Sequence, residues 1–222
     1  MTGRLGASGK TTVRDMTDGA IVKQITLFAL PLMLGNIFQM LYNTVYSIVV
    51  GNFVGKQALA AVGSTTMIVN MMVFFFNGFS TGAGVIIANL FGARNMEKLH
   101  KAIETTMAAT FLLSALFTVA GVAAVKPMRR FMATPEDVFG EATVYLQIYI
   151  GGISGLLVYN MGSGILRAVG DTMRRLFFLV LTSVVNIVLD LVFVVGLHSG
   201  IEGVAWATII SQFISAVLTL LL

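Results

Sequence analysis

Six long apolar stretches run through this chain, and one carboxylic acid, Asp190, lies deep inside the fifth. A hydrocarbon layer about 30 Å thick is crossed by roughly 20 helical residues. The stretches fall at 25–50, 64–91, 102–125, 142–166, 176–197 and 204–222. Helix is the required conformation, since a lipid-exposed strand leaves backbone groups unpaired. The expected fold is therefore all-α: a membrane bundle of six transmembrane helices. The second stretch is longer than a bilayer needs, so it is expected to tilt or to project into water.

Composition agrees with that placement. The 222 residues are 57% hydrophobic and 11% charged, against about 45–50% and about 25% in a soluble domain. The net charge of +4 is no sign of nucleic acid, because the basic residues sit between apolar segments as topology signals do. Cysteine is absent, and the two histidines, His100 and His198, lie near segment ends. No disulfide framework and no metal site is expected. The first 23 residues are polar and lack the apolar core of a cleaved signal. "GASGKTT" near the start lacks the spacing of a phosphate loop, and no nucleophile–base pair appears. An enzyme is not expected, nor is a cofactor.

Orientation follows from lysine and arginine. The N-terminal tail carries Arg4, Lys10, Arg14 and Lys23; the loop after the second span carries Arg94, Lys98 and Lys101; that after the fourth carries Arg167, Arg174 and Arg175. The opposite side has Lys56, Lys126, Arg129 and Arg130. The richer side is the cytoplasmic one, so both termini are expected inside a multi-pass protein of the cell membrane. Residues 1–20 read as a disordered cytoplasmic leader, and 21–222 as one six-helix lobe. The sixth span is barely complete at Leu222, from which a truncated chain or half of a larger protein is expected.

Polar residues three and four apart meet on one helical face. Such stripes are Thr182 or Ser183, Asn186 and Asp190 in span five, and Gly35, Gln39, Asn43 and Tyr46 in span one, with Tyr42 alongside. Span four offers Tyr145, Tyr149, Asn160 and Ser163; span two offers Asn70, Asn77, Thr81 and Gly84. Hydrogen bonds between helices account for many such residues. A charge at membrane depth asks for more: it marks a polar cavity or a partner. Asp190, Tyr46 and Thr208 all fall in the outer half of their spans, as an outward-opening cavity requires. The many glycines within spans are read as sites of close helix packing, and Pro31 as a kink or a first-turn residue of span one.

Several stretches resemble the multidrug and toxic compound extrusion (MATE) family. They are "LPLMLGNIFQMLYNTVYSIVVGNFVGKQALAAVG" (Leu30 to Gly63), "GILRAVGDT" (Gly164 to Thr172), "NIVLDLVFVVGL" (Asn186 to Leu197) and "GVAWATIISQ" (Gly203 to Gln212). The resemblance implies the N-terminal lobe of a twelve-helix transporter that exports cationic or amphipathic drugs in exchange for H+ or Na+. Its partners would be the bilayer, a small substrate, and a C-terminal lobe or a second copy. It also implies a cation or proton site at Asn186, Asp190 and Thr208. The family pattern "YNTxDS" has an acid where this chain has Tyr46, and Gln39 matches a polar position of the same cavity. A phenol hydrogen-bonds but does not exchange protons near neutrality. Burial favours the neutral form of a carboxyl group, so Asp190 is left to hold a proton alone. A sodium ion would use the oxygens of Asp190, Asn186 and Thr208. Two alternatives stay open: a flippase for lipid-linked precursors, which would need Arg or Lys inside the spans, and a remnant that folds but transports nothing.

Overall fold

The computed structural model describes residues 21–128 and 136–221. The expected leader at 1–20 and the loop arginines Arg129 and Arg130 lie outside the described residues. Among the described residues seven α-helices are seen: α1 (Ile21–Val49), α2 (Lys56–Gly92), α3 (Met96–Met128), α4 (Glu136–Gly151), α5 (Ile153–Ala168), α6 (Thr172–Leu191) and α7 (Gly200–Leu220). Five are long and apolar enough to cross a membrane, and α4 with α5, bent by 52°, makes a sixth span.

Two boundaries differ from expectation. Residues 51–63 were expected to be a loop, but α1 runs through a π-helical turn at Val50–Val54 and α2 starts at Lys56. Gly55 alone joins them, at φ +119°, a backbone conformation glycine adopts without the steric cost of a Cβ. It donates its N–H to Val50 O at 3.1 Å, which closes the wide turn. The second difference is the fourth span, expected as one helix and broken at Gly152. A Cβ there would stand 2.5 Å from Ile209, so the bend brings α5 hard against α7.

That contact organises the bundle. Gly152, at the bend, and the α5 glycines Gly155 and Gly162 face Ile209, Phe213 and Thr219 of α7, and Gly164 faces Ser80 of α2. In lipid the drive for helix association is packing itself, and small residues permit it. Helix α2 packs on α3, α4 and α5, and α6 packs on α7. Helix α1 is held chiefly by α6 and by its own π turn. A second π turn, Val192–Gly196, ends α6. Val50 and Val194, one from each turn, meet Val138, Ala142 and Ile201 in an apolar cluster. It closes the bundle at the ends of α1 and α6.

Gly162→Ala would place its Cβ 2.2 Å from Thr219, and overpacking of this kind costs about 1–3 kcal/mol. A fall in the thermal unfolding midpoint in detergent is expected. Gly82, on α2, has nothing within 4 Å of such a Cβ, so Gly82→Ala should leave the midpoint unchanged or raise it. Equal behaviour of the two variants would refute the close-packed seam.

Candidate transport cavity

Between α1, α2, α4, α5, α6 and α7 lies a cavity of about 430 Å³. That is within the range of about 300–1,000 Å³ usual for small-molecule sites. Its wall is unusually polar for a membrane interior: Gln39, Asn43, Asn70, Asn160, Thr182, Asn186, Thr208 and Gln212 contribute, with five tyrosines. Gln39 and Asn43 of α1 and Thr66 and Asn70 of α2 are exposed. The cavity therefore opens between α1 and α2, which converge at Gly55.

The α6 stripe forms one wall. Thr182, Asn186 and Asp190 follow at intervals of four and are all buried, so the helical period points them in one direction. Asn186 is fully engaged: its Oδ1 accepts from the Tyr42 hydroxyl at 2.5 Å, and its Nδ2 donates to Ser211 Oγ at 3.2 Å. One side chain thus ties α1, α6 and α7 together. Ser215 Oγ donates to Thr182 Oγ1 at 2.6 Å, one turn away. Across the cavity, the hydroxyls of Tyr46 and Tyr145 are 3.3 Å apart, and the Tyr145 and Tyr149 rings stack. Thr208 spends its hydroxyl proton on Val204 O at 3.0 Å, leaving its oxygen lone pairs toward the cavity.

Asp190 differs from expectation. It is 1% exposed, does not line the cavity, and neither carboxylate oxygen has a hydrogen-bond partner. The reason is the π turn: one helical turn beyond Asp190, Val194 belongs to the apolar cluster that closes this end. The acid lies between cavity wall and plug, within electrostatic range of Tyr42, Tyr46 and Tyr145. Ser163 is the second correction. Expected to line the cavity, it instead accepts a hydrogen bond from Arg175 Nε at 2.8 Å. Its neighbours on the same stripe, Tyr145, Tyr149 and Asn160, do line the cavity, as do Tyr46, Gln39 and Asn43.

Other wall residues went unnoticed in the sequence. Ser211, three residues after Thr208, lines the cavity, while Ser215, seven after and on the same face of α7, bonds Thr182 instead; the stripe rule applied to α7 would have found both. Gln212, four residues after Thr208, falls under the same rule. Its Oε1 and the Asn160 Nδ2 are buried without partners, and both residues line the cavity.

A six-span bundle enclosing a polar cavity at membrane depth defines a membrane transporter lobe. The MatE family model matches residues 31–192, and the chain belongs to that family, the multidrug and toxic compound extrusion transporters. It is 34% identical over 201 residues to the probable multidrug resistance protein YpnP of Bacillus subtilis, covering 90% of this chain and 45% of that protein. With the probable multidrug resistance protein NorM of Thermotoga maritima it shares 30% identity, over 88% of this chain and 43% of the relative. An outward-facing structure of a multidrug resistance MATE family transporter superposes with a TM-score of 0.87 at 28% identity, over 96% of this chain and 47% of that one. The chain spans about half the length of the relatives it matches.

Tyr42→Phe removes the donor to a buried Asn186 oxygen, and an orphaned buried acceptor costs about 1–3 kcal/mol. The unfolding midpoint in detergent should fall. Thr44 is exposed and donates only to the carbonyl one turn back, so Thr44→Val should stay within about 0.5 kcal/mol of the parent. If Tyr42→Phe is equally silent, the Tyr42–Asn186 bond does not hold α1 to α6.

Proposed function

We propose that this chain is the N-terminal lobe of a secondary transporter that exports cationic or amphipathic compounds in exchange for H+ or Na+. It would lie in the cell membrane with both termini in the cytoplasm and work with a second lobe. The observation that carries this reading is a drug-sized polar cavity set against one buried, unpartnered acid. An amphipath finds stacked tyrosines for its apolar part, and the free groups of Asn160 and Gln212 for its polar part.

Coupling follows from the state of Asp190. A carboxylate buried without a donor is costly in low dielectric. A proton removes that cost by neutralising the group, and a cation offsets it by direct coordination. Either event changes what α1, α6 and α7 hold between them, since Tyr42, Asn186 and Ser211 link the same three helices beside the acid. Loading an ion requires the plug of Val50 and Val194 to part, so access to Asp190 alternates with its sealing. Tyr46 cannot serve as a second carboxylate. Proton coupling is favoured over sodium, because a single acid with Asn186 Oδ1 already occupied makes a poor cation cage.

Two outcomes test this in proteoliposomes holding the lobe together with a C-terminal lobe. Asp190→Asn should abolish gradient-driven efflux of a cationic dye; unchanged efflux removes Asp190 from the mechanism. Tyr46→Asp should steepen the dependence on the imposed gradient, and comparing proton with sodium gradients identifies the ion. An unaltered response to either gradient would exclude position 46 from coupling.

A further inference from the structure

Arg175 sits one turn into α6, at the end of the bundle where that helix begins. Its Nε is engaged by Ser163 of α5. Among the described residues no carboxylate pairs with it. The adjacent acid, Asp171, binds Arg174 at 3.2 Å, and the neighbours acting on Arg175 are the neutral phenol of Tyr159 and Arg167, of the same sign. Arg175 lines a chamber of about 160 Å³ between α1 and α6, which Pro31, Gly35, Asn36, Gln39 and Thr172 also bound. Gln39 and Leu179 line both this chamber and the main cavity.

A half-buried guanidinium without a counter-charge is costly. With Nε taken, Arg175 still offers four N–H donors in a planar fork that suits oxyanions. The Thr172 hydroxyl and the Asn36 amide are neutral donors on the chamber wall, and Gln39, whose Nε2 gives one proton to Asn43 at 3.5 Å, keeps a second. The chamber is too small for a drug-sized molecule, whose sites run to about 300–1,000 Å³, but it admits one head group. Arg175 lies three residues inside α6, about 4.5 Å along the axis at 1.5 Å per residue, which is interfacial depth. Met33 of α1 and Met173 and Phe177 of α6 are exposed on the other faces of the same two helices. Basic pockets between transmembrane helices on the cytoplasmic side bind anionic head groups.

We propose that the α1–α6 chamber binds the phosphate of an anionic lipid from the leaflet in which α6 begins, with Arg175 as the charged ligand and Thr172 and Gln39 as further donors. An occupied chamber bridges α1 to α6 at the foot of the main cavity. The proposal is independent of export and is read without transport.

The test uses the whole chain, purified in detergent and stripped of lipid. It is titrated with dioleoylphosphatidylglycerol, with dioleoylglycerol (the same chains without phosphate) and with inorganic phosphate. Native mass spectrometry follows bound lipid, and heating follows stability. Phosphatidylglycerol should be retained and raise the unfolding midpoint; the other two should do neither. Arg175→Gln should weaken retention about tenfold, the equivalent of one charged hydrogen bond, and Arg175→Lys should keep most of it. Should Arg175→Gln fail to fold, Gly35→Leu serves: a Cβ at Gly35 makes ordinary contact with Leu179 at 3.4 Å, and the longer side chain fills the chamber with Arg175 intact. It should abolish retention. Equal retention by parent and variants overturns the site. Stabilisation by inorganic phosphate overturns the lipid as its source, and failure of the parent to bind either overturns the proposal entirely.

Discussion

In hydrocarbon there is no water to take up an unmade hydrogen bond, so every polar side chain within a span must find its partner in its own helix or in another, or be left costly. This constraint shapes the lobe. Asn186 is its centre: it accepts from α1 and donates to α7 while belonging to α6. The Thr182–Ser215 bond repeats the same link one turn away. Gly152, Gly155 and Gly162 let the fourth span pack closely on α7, against Ile209, Phe213 and Thr219.

Against that satisfied background, the exceptions stand out. Among the described residues Asp190, Asn160, Gln212 and Glu141 carry buried polar atoms without partners; the first three lie in or beside the cavity, whereas Glu141 of α4 does not line it. Native proteins leave few such groups, and those that remain ask for a reason. Here the two amides offer a donor and an acceptor to a guest molecule, and the acid offers a charge that can be switched. A purely structural polar network would have closed on itself.

Much of this was legible in the chain. The spans follow from apolar length, and the α6 stripe from a spacing of four. The polar wall of α1 follows from Gln39, Asn43 and Tyr46, and the family from four quoted segments. What was not legible depends on the ends of helices. No periodicity distinguishes a π turn at Val50–Val54 from the start of a loop, because Gly55 by itself reads as a turn residue. The bend at Gly152 hides among neighbouring glycines, each of which could have served. The position of Asp190 relative to the cavity depends on Val194, and so on a local widening of the helix invisible to the pattern. Ser163 was misplaced for another reason: its partner, Arg175, is twelve residues away across a turn, and counted in sequence as a loop charge.

Gly55 has a consequence for how the mouth of the cavity is set. Two rods joined by one pivot behave as the arms of a compass, and their spread is governed by two torsions. Helix α2 is embedded among three neighbours, whereas α1 leans mainly on α6. A rotation at this pivot swings α1 only by loosening its packing on α6 and the Tyr42–Asn186 bond. Because Gly55 occupies a region of backbone space that other residues enter with strain, the aperture of this lobe is written into the identity of a single hydrogen atom where a side chain would otherwise be.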